Sequence, residues 1–479
     1  MAALGYRQDL AAALRHLEAL TTGVPRRPRS RTLLPVMLEW FADAPDPDVL
    51  GFRKISESLG RTHWYLKTLR DEGEVAERLA RILATSRYVT DLLQREPHGV
   101  RLLGEDLAPL PVEAVTAEMQ AAARRQVSSD DAVKVVRGIR RRELFRIAAA
   151  DLLGLTDVAD TGAALSRLTD ATLEATLEVA LREACWQREL EDPPVRLAIV
   201  AMGRYGGFEL SYGSDADVMF VFETVEGADP TVATEVAMAA CNTLRGLLFA
   251  PGTDPALVVD ADLRPEGRKG ALARTLDAYA AYYAKWSKVW EFQALLRADA
   301  VVGDPSLRAR FTELIDPLRF PAEGLAETDI REVRRIKARV DKERLPRGAD
   351  PHTHLKLGRG GLADVEWTVQ LLQMRYAGRH PELRSTRTLE SLFAARDVGL
   401  VSAEDADTLA TAWRTVSRLR NAITLVRGKS SDQLPRDPRE RAAAASVLGY
   451  PHGESDRMVN DYLRVTRRAH DVVERVFWS

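Results

Sequence analysis

The sequence predicts an α+β protein, predominantly α-helical, with one small mixed sheet flanked by helical segments. Three observations predict it. Apolar residues recur at three-and-four spacing along most of the 479 residues, the period of amphipathic helices. Two short apolar runs, "VRLAIVAMG" at 195–203 and "DADVMFVFE" at 215–223, interrupt that pattern and read as buried strands. A third run, "ALVVDADLRP" at 256–265, follows a helix-like stretch from about 230 to 248 and reads as another strand.

The remaining elements follow in order. Residues 33–103 read as short antiparallel helices, punctuated by "DAPDPD" at 43–48 and by Pro97. The Pro- and Arg-rich "GVPRRPRSR" at 23–31 reads as a connector. A second helical block covers 130–190, broken at "GLTDVADTG", where Asp and Thr offer caps. After Pro265 helices resume at 274–300, 325–344, 362–377, 387–398, 403–427 and 455–476. The expected organisation is a helical region at 1–125, a sheet-bearing domain at 126–315 and a helical bundle at 316–479.

With 46% hydrophobic residues the chain is long enough for several cores. Its 68 Lys and Arg against 70 Asp and Glu give no global attraction to a polyanion, so neither nucleic acid nor a membrane is an expected partner. Any basic site must be local. Cys185 and Cys241 lack metal-ligand spacing and read as buried, unpaired thiols suited to a reducing cytosol. No apolar stretch follows a basic start, and no run of 18 or more apolar residues occurs, so a cytoplasmic protein is expected.

Charge at the mouth of the second strand calls for a reason. Side chains on a strand alternate faces, so Asp215 and Asp217 point the same way, with Cα atoms roughly 6.6 Å apart. Carboxylates that close raise each other's pKa unless a cation sits between them. Mg²⁺, or Mn²⁺ in its place, fits, because one or two carboxylates hold it and water or phosphate completes its shell. Asp260, on the third run, adds a carboxylate and allows two ions about 3.5 to 4 Å apart, the arrangement of phosphoryl and nucleotidyl transfer. Gly203, Gly206 and Gly207 let backbone N–H groups approach a polyphosphate, and Ser214 offers a hydroxyl to the same anion. A triphosphate is the natural ligand. Asp262 shares the face of Asp260 and reads as a ligand, a supporting partner or an ion pair to Arg264. A D-x-D pair or a G-x-x-G-G alone is ordinarily a turn; the combination, leading into a strand with a third acid nearby, points to a site.

Those residues resemble a known family. "GRYGGFELSYGSDADVMFVFE", followed by "VDADLRPEGRKG" and "VWEFQALLRADAVVGDP", resembles the glutamine synthetase adenylyltransferases of the DNA polymerase β-like nucleotidyltransferase superfamily. "LKLGRGGLADVEW" at 355–367 resembles the opening of that family's C-terminal helical domain, and "LLPVMLEWFADAPDPDVL" and "SRYVTDLLQREP" resemble its central helical region. The resemblance covers nearly the whole chain. Family members usually carry two nucleotidyltransferase copies, one removing AMP by phosphorolysis and one attaching it. This chain has one copy, and its Y-G-S-D-A-D pattern resembles the attaching half.

The resemblance implies transfer of AMP from ATP to a tyrosine hydroxyl of glutamine synthetase, with a PII-type signal protein as a further partner. Asp215, Asp217 and Asp260 become metal ligands and catalytic acids, with Asp260 the candidate base. Gly203, Gly206, Gly207 and Ser214 hold the triphosphate. Arg264 is carried over as a phosphate or structural contact, whereas Asp262 replaces the family's usual Arg. Lys356, with Gly358, Gly360 and Gly361, forms an anion nest ahead of a helix, or Asp364 and Glu366 simply complement that helix's dipole. The same site running in reverse, a PII-type uridylyltransferase and a non-catalytic regulatory module are the alternatives.

Other features have plainer readings. The basic run from Arg331 to Arg344 faces a nucleotide or an acidic partner, or is a solvated face paired with its own acids. His352 and His354 lack a third metal ligand nearby. Tyr279, Tyr282, Tyr283, Trp286 and Trp290 lie at helical spacing and read as core or inter-domain packing.

Overall fold

The computed structural model describes residues 72–479 together with Ile55, Ser58, Leu59, Trp64, Tyr65, Lys67 and Thr68. The readings at 23–31 and 43–48 lie outside the described residues. The chain divides into two compact units, one from the described residues of Met1–Pro109, Arg141–Val158 and Ser417–Tyr462, the other from Leu110–Arg140, Ala159–Val416 and Leu463–Ser479.

The described part of the first unit is helical. Gly73–Thr85 buries Val75, Leu79, Ile82 and Leu83 along one face. Ser86 ends that helix and caps the next, Arg87–Arg95, by accepting the Val89 N–H at 3.1 Å. Pro97 then opens a separate 3₁₀ turn, Pro97–Gly104, as expected of a residue that cannot continue a helix.

The second unit holds a five-stranded mixed sheet. Strands β1 (Val195–Ala201) and β2 (Ala216–Thr224) pair antiparallel from Val195↔Thr224 to Ala201↔Val218. Residues β3 (Val259–Asp260) and β4 (Ala273–Thr275) run parallel to β2 along its other edge, and β5 (Asp299–Gly303) runs antiparallel to β1. β1 and β2 read as almost unbroken apolar runs because both faces are covered. On one face Ala198, Val200, Met219 and Val221 pack with Tyr279, Tyr283, Leu307 and Phe311. The Pro230–Phe249 helix, capped by Asp229 with proline in its first turn, also packs on β1 and β2. Cys185 and Cys241 are buried free thiols.

Two strands escape the helical period. The 274–300 stretch, expected as helix, contains β4, then helices Leu276–Lys285 and Val289–Leu295, then the start of β5. Each strand is too short to show a period of its own, and pairing with β2 or β1 decides its conformation. The third run is a strand for only two residues, because the Asp262 N–H turns back to Asp260 Oδ1 at 2.7 Å and ends the extended backbone. Tyr279 and Tyr283 are core residues, but Trp286 and Trp290 are 62% and 42% exposed and are not packed as expected. Helices Glu327–Glu343, Leu362–Tyr376, Thr388–Asp397, Ala403–Arg427 and Ser455–Val473 match the remaining expectations closely.

Candidate active site

Parallel pairing of β2 with β3 sets Asp217 directly beside Asp260. Asp215 precedes β2 on the same side, so the three predicted acids come together at the strand's N-terminal end. Asp215 is exposed, whereas Asp217 and Asp260 are half-buried. Burial and the neighbouring Asp260 charge push Asp217 up to about 6, partly offset by Lys356. Burial and Asp260 likewise raise Asp215. Among the described residues neither Asp215, Asp217 nor Asp260 forms an ion pair, and no donor reaches the Asp217 carboxylate.

Acids raised by burial and mutual repulsion, with no basic group in contact, fit a divalent cation. Among the described residues no three His, Cys, Asp or Glu side chains form a ready-made metal cage. The donor set therefore suits an ion that takes few carboxylates and draws the rest of its shell from water and phosphate, as Mg²⁺ does.

The glycine-rich link between β1 and β2 divides into distinct jobs. Gly203 has φ +55°, and a Cβ there would lie 2.9 Å from Asp217 Oδ2, so glycine lets the turn lie against the carboxylate. Gly206 and Gly207 instead donate their N–H groups to the carbonyls of Met202 and Gly203 at 3.0 and 3.1 Å. A Cβ on Gly206 would strike the Arg297 carbonyl at 1.9 Å, and one on Gly207 the Arg297 guanidinium at 2.1 Å. Their smallness serves packing against Arg297, and the phosphate contact expected of their N–H groups finds those groups already bonded within the turn. Ser214 holds Ser211 through both hydroxyls at 2.8 Å, closing the turn at Gly213, which has φ +70°.

Arg264 donates to the carbonyls of Gly270 at 3.1 Å and Ala261 at 2.7 Å, which makes it the structural clamp of the loop after β3. Asp262 pairs with Arg268 at 2.6 Å and stands 3.8 Å from Arg264. Lys356 is exposed, and its field lowers both Asp215 and Asp217. Asp364 is no simple dipole charge: it is buried, accepts Lys337 at 2.6 Å and the Gly360 N–H at 2.7 Å, and is held below the usual carboxylate range by His470 and Lys337. Lys337, from the basic run read as facing a nucleotide or an acidic partner or as a solvated face, is 1% exposed. Glu366 pairs with Arg204 at 3.0 Å. His354 is buried and accepts the Leu357 N–H on Nδ1 at 3.0 Å, an arrangement that serves the loop.

The family model described as Glutamate-ammonia ligase adenylyltransferase matches residues 76–314. A bifunctional glutamine synthetase adenylyltransferase/adenylyl-removing enzyme of Streptomyces avermitilis is 52% identical over 501 residues, covering 100% of this chain and 50% of the relative. The chain belongs to the glutamate-ammonia ligase adenylyltransferase family. Relatives of the same description from Cutibacterium acnes and Mycobacterium avium are 48% and 49% identical, again over 100% of this chain and 48% and 49% of the relatives. The chain thus spans about half the length of the curated relatives it matches. A second family model, described as GlnD PII-uridylyltransferase, matches residues 333–477.

Sequence reasoning missed part of this adenylyltransferase-family site. Glu209 and Arg297 form a buried ion pair at 2.5 Å, each about 5% exposed. The available signal was Arg297 set directly after the apolar "ALL" of "ALLRADA", since a charge carried into a core must find a partner. Lys337 and Asp364 form a second such pair.

Proposed function

We propose that this chain transfers AMP from ATP to a tyrosine hydroxyl of glutamine synthetase, releasing pyrophosphate. The observation that carries the reading is the β2–β3 register, which sets Asp260 beside Asp217 with Asp215 next to them. The named relatives act on glutamine synthetase by their descriptions. The Y-G-S-D-A-D pattern supports the attaching over the removing direction, and the absence of a helix long and apolar enough to cross a membrane among the described residues fits work on a protein in the cytoplasm.

The chemistry follows from the residues. A phenol has a pKa of about 10, so its proton must be drawn off before the oxygen attacks. Asp260, held in place by the Asp262 N–H, takes that proton. The phenolic oxygen bonds to the α-phosphorus, the bond to the β-phosphate oxygen breaks, and pyrophosphate leaves. Asp215, Asp217 and Asp260 would hold a Mg²⁺ or Mn²⁺, and that ion would supply charge neutralisation on the phosphates. Lys356 faces the triphosphate with its free charge, and Gly203 lets the turn approach it.

Incubating the chain with labelled ATP or labelled UTP, and with glutamine synthetase or a PII-type protein, tests the reading. Label from ATP on glutamine synthetase supports it. Label from UTP on the PII-type protein supports the second reading, which the match of residues 333–477 favours. ADP formed when phosphate takes the AMP group from adenylylated glutamine synthetase, with no forward transfer, would instead favour the removing direction.

A further inference from the structure

Arg297 lies between the Val289–Leu295 helix and β5, and is 4% exposed. Each of its three guanidinium nitrogens donates one hydrogen bond to protein. Its Nε donates to the Gly203 carbonyl at 3.2 Å, its Nη1 to Thr388 Oγ1 at 2.8 Å, and its Nη2 to Glu209 Oε2 at 2.5 Å. Glu209 in turn accepts the Thr388 N–H at 2.6 Å and the Thr388 hydroxyl at 3.1 Å. The guanidinium also fills the space that Gly207 leaves by lacking a Cβ. Arg297 therefore grips the glycine-rich turn from beneath at both Gly203 and Gly207. The Asp217 carboxylate closes the space that Gly203 leaves by lacking a Cβ, its Oδ2 standing 2.9 Å from where that atom would lie.

We infer that Arg297 is a positioning residue for nucleotidyl transfer, which fixes the Gly203 turn, and through it Asp217, by anchoring both to Glu209 and to Thr388 on the Thr388–Asp397 helix. The inference rests on the proposed AMP transfer. Arg297 is buried beneath the turn and touches no reacting atom. Its planar fork suits three acceptors in fixed directions, which a lysine cannot serve at once. The Thr388 hydroxyl bridges both members of the ion pair, so the start of a helix 91 residues away in sequence sets the height of the turn.

Two variants of the full chain test it. Arg297→Lys keeps the charge opposite Glu209 but gives up the fork; Thr388→Val keeps the ion pair and loses only the hydroxyl, which guards against a variant that fails to fold. With helical content unchanged by circular dichroism, Arg297→Lys is expected to lower kcat for AMP transfer by about ten- to a hundred-fold, and Thr388→Val by several-fold, with KM for ATP little changed, as befits misplacement of groups that act in the transition state. Amide exchange at 203–207 is expected to quicken in both variants while β1 and β2 stay protected. Parental kcat in folded Arg297→Lys, or exchange at 203–207 that matches the parent, overturns the inference. So does a loss of kcat that only tracks loss of folded protein. If the parent itself transfers no AMP, the reading of the site fails, and the exchange comparison alone still decides whether Arg297 holds the turn.

Discussion

Asp217 gathers the opposing demands of the site in one side chain. Its folded-state value of about 6 lies above the ordinary carboxylate value of 3.8. Between those two pH values the folded chain binds more protons than the unfolded chain, so in the absence of divalent ions this residue makes stability fall as pH rises from about 4 to 6 and level off above. Asp217→Asn is therefore expected to raise stability at pH 7 by on the order of 2 kcal/mol in urea titrations without metal, and to flatten that slope. Adding Mg²⁺ should raise the Tm of the parent and leave that of the variant almost unchanged. Gly203→Ala presses a Cβ onto Asp217 Oδ2 at a backbone φ of +55° that alanine resists. Its expected effect is a loss of AMP transfer of about a hundred-fold at near-parental helical content, read by single-turnover kinetics. The acids are legible in the sequence because a strand's two-residue period states which side chains share a face. The grip of Arg297 on Gly203 is not, because it joins positions 94 residues apart.

Elements are legible where they carry their own punctuation. Asp229-Pro230 supplies a side-chain cap and a proline in the first turn of a helix read from the sequence; Asp304-Pro305 carries the same punctuation and starts Pro305–Arg319, a helix absent from the sequence expectations. β4 and β5, three and five residues long, carry no such signal and exist through pairing. Helix ends also depend on distant partners. Arg137 donates to the carbonyls of Ala250 and Asp254 at 2.7 and 2.6 Å, satisfying the C-cap of the Pro230–Phe249 helix and a carbonyl of the loop that follows it. Arg137→Ala should cost about 2 kcal/mol by denaturant titration, through carbonyls left without donors. In the Leu362–Tyr376 helix, Asp364 raises His470 above its ordinary value. That stabilisation is complete below pH of about 6.5, the unfolded value, and is lost as pH rises through the higher folded value. His470→Asn should remove this alkaline-side decline from a Tm-against-pH profile.

At the scale of the whole molecule, the division at 125 and 315 read from the sequence stays a proposal about folding units. Long-range bonds that cross the second boundary bear on it: Arg204 to Glu366, and Arg297 to Thr388. The end of the chain takes part as well. A Cβ on Gly360 would strike the Thr466 carbonyl at 1.9 Å, and Arg334 donates to the Phe477 carbonyl at 2.6 Å. Removing Leu463–Ser479 should therefore abolish the cooperative thermal transition of the unit that holds the sheet, as seen by calorimetry. Composition could bound the molecule as helical and electrostatically neutral, but the contacts that bind its segments come from folding and not from local pattern. The central claim is that Asp215, Asp217 and Asp260 together carry AMP transfer, and intact-mass measurement of glutamine synthetase after incubation with ATP, Mg²⁺ and the chain tests it most directly. The parent should add one AMP to each target tyrosine, and folded Asp217→Asn should add AMP slower by about a thousand-fold or more. Transfer at the parental rate by that folded variant would contradict the account.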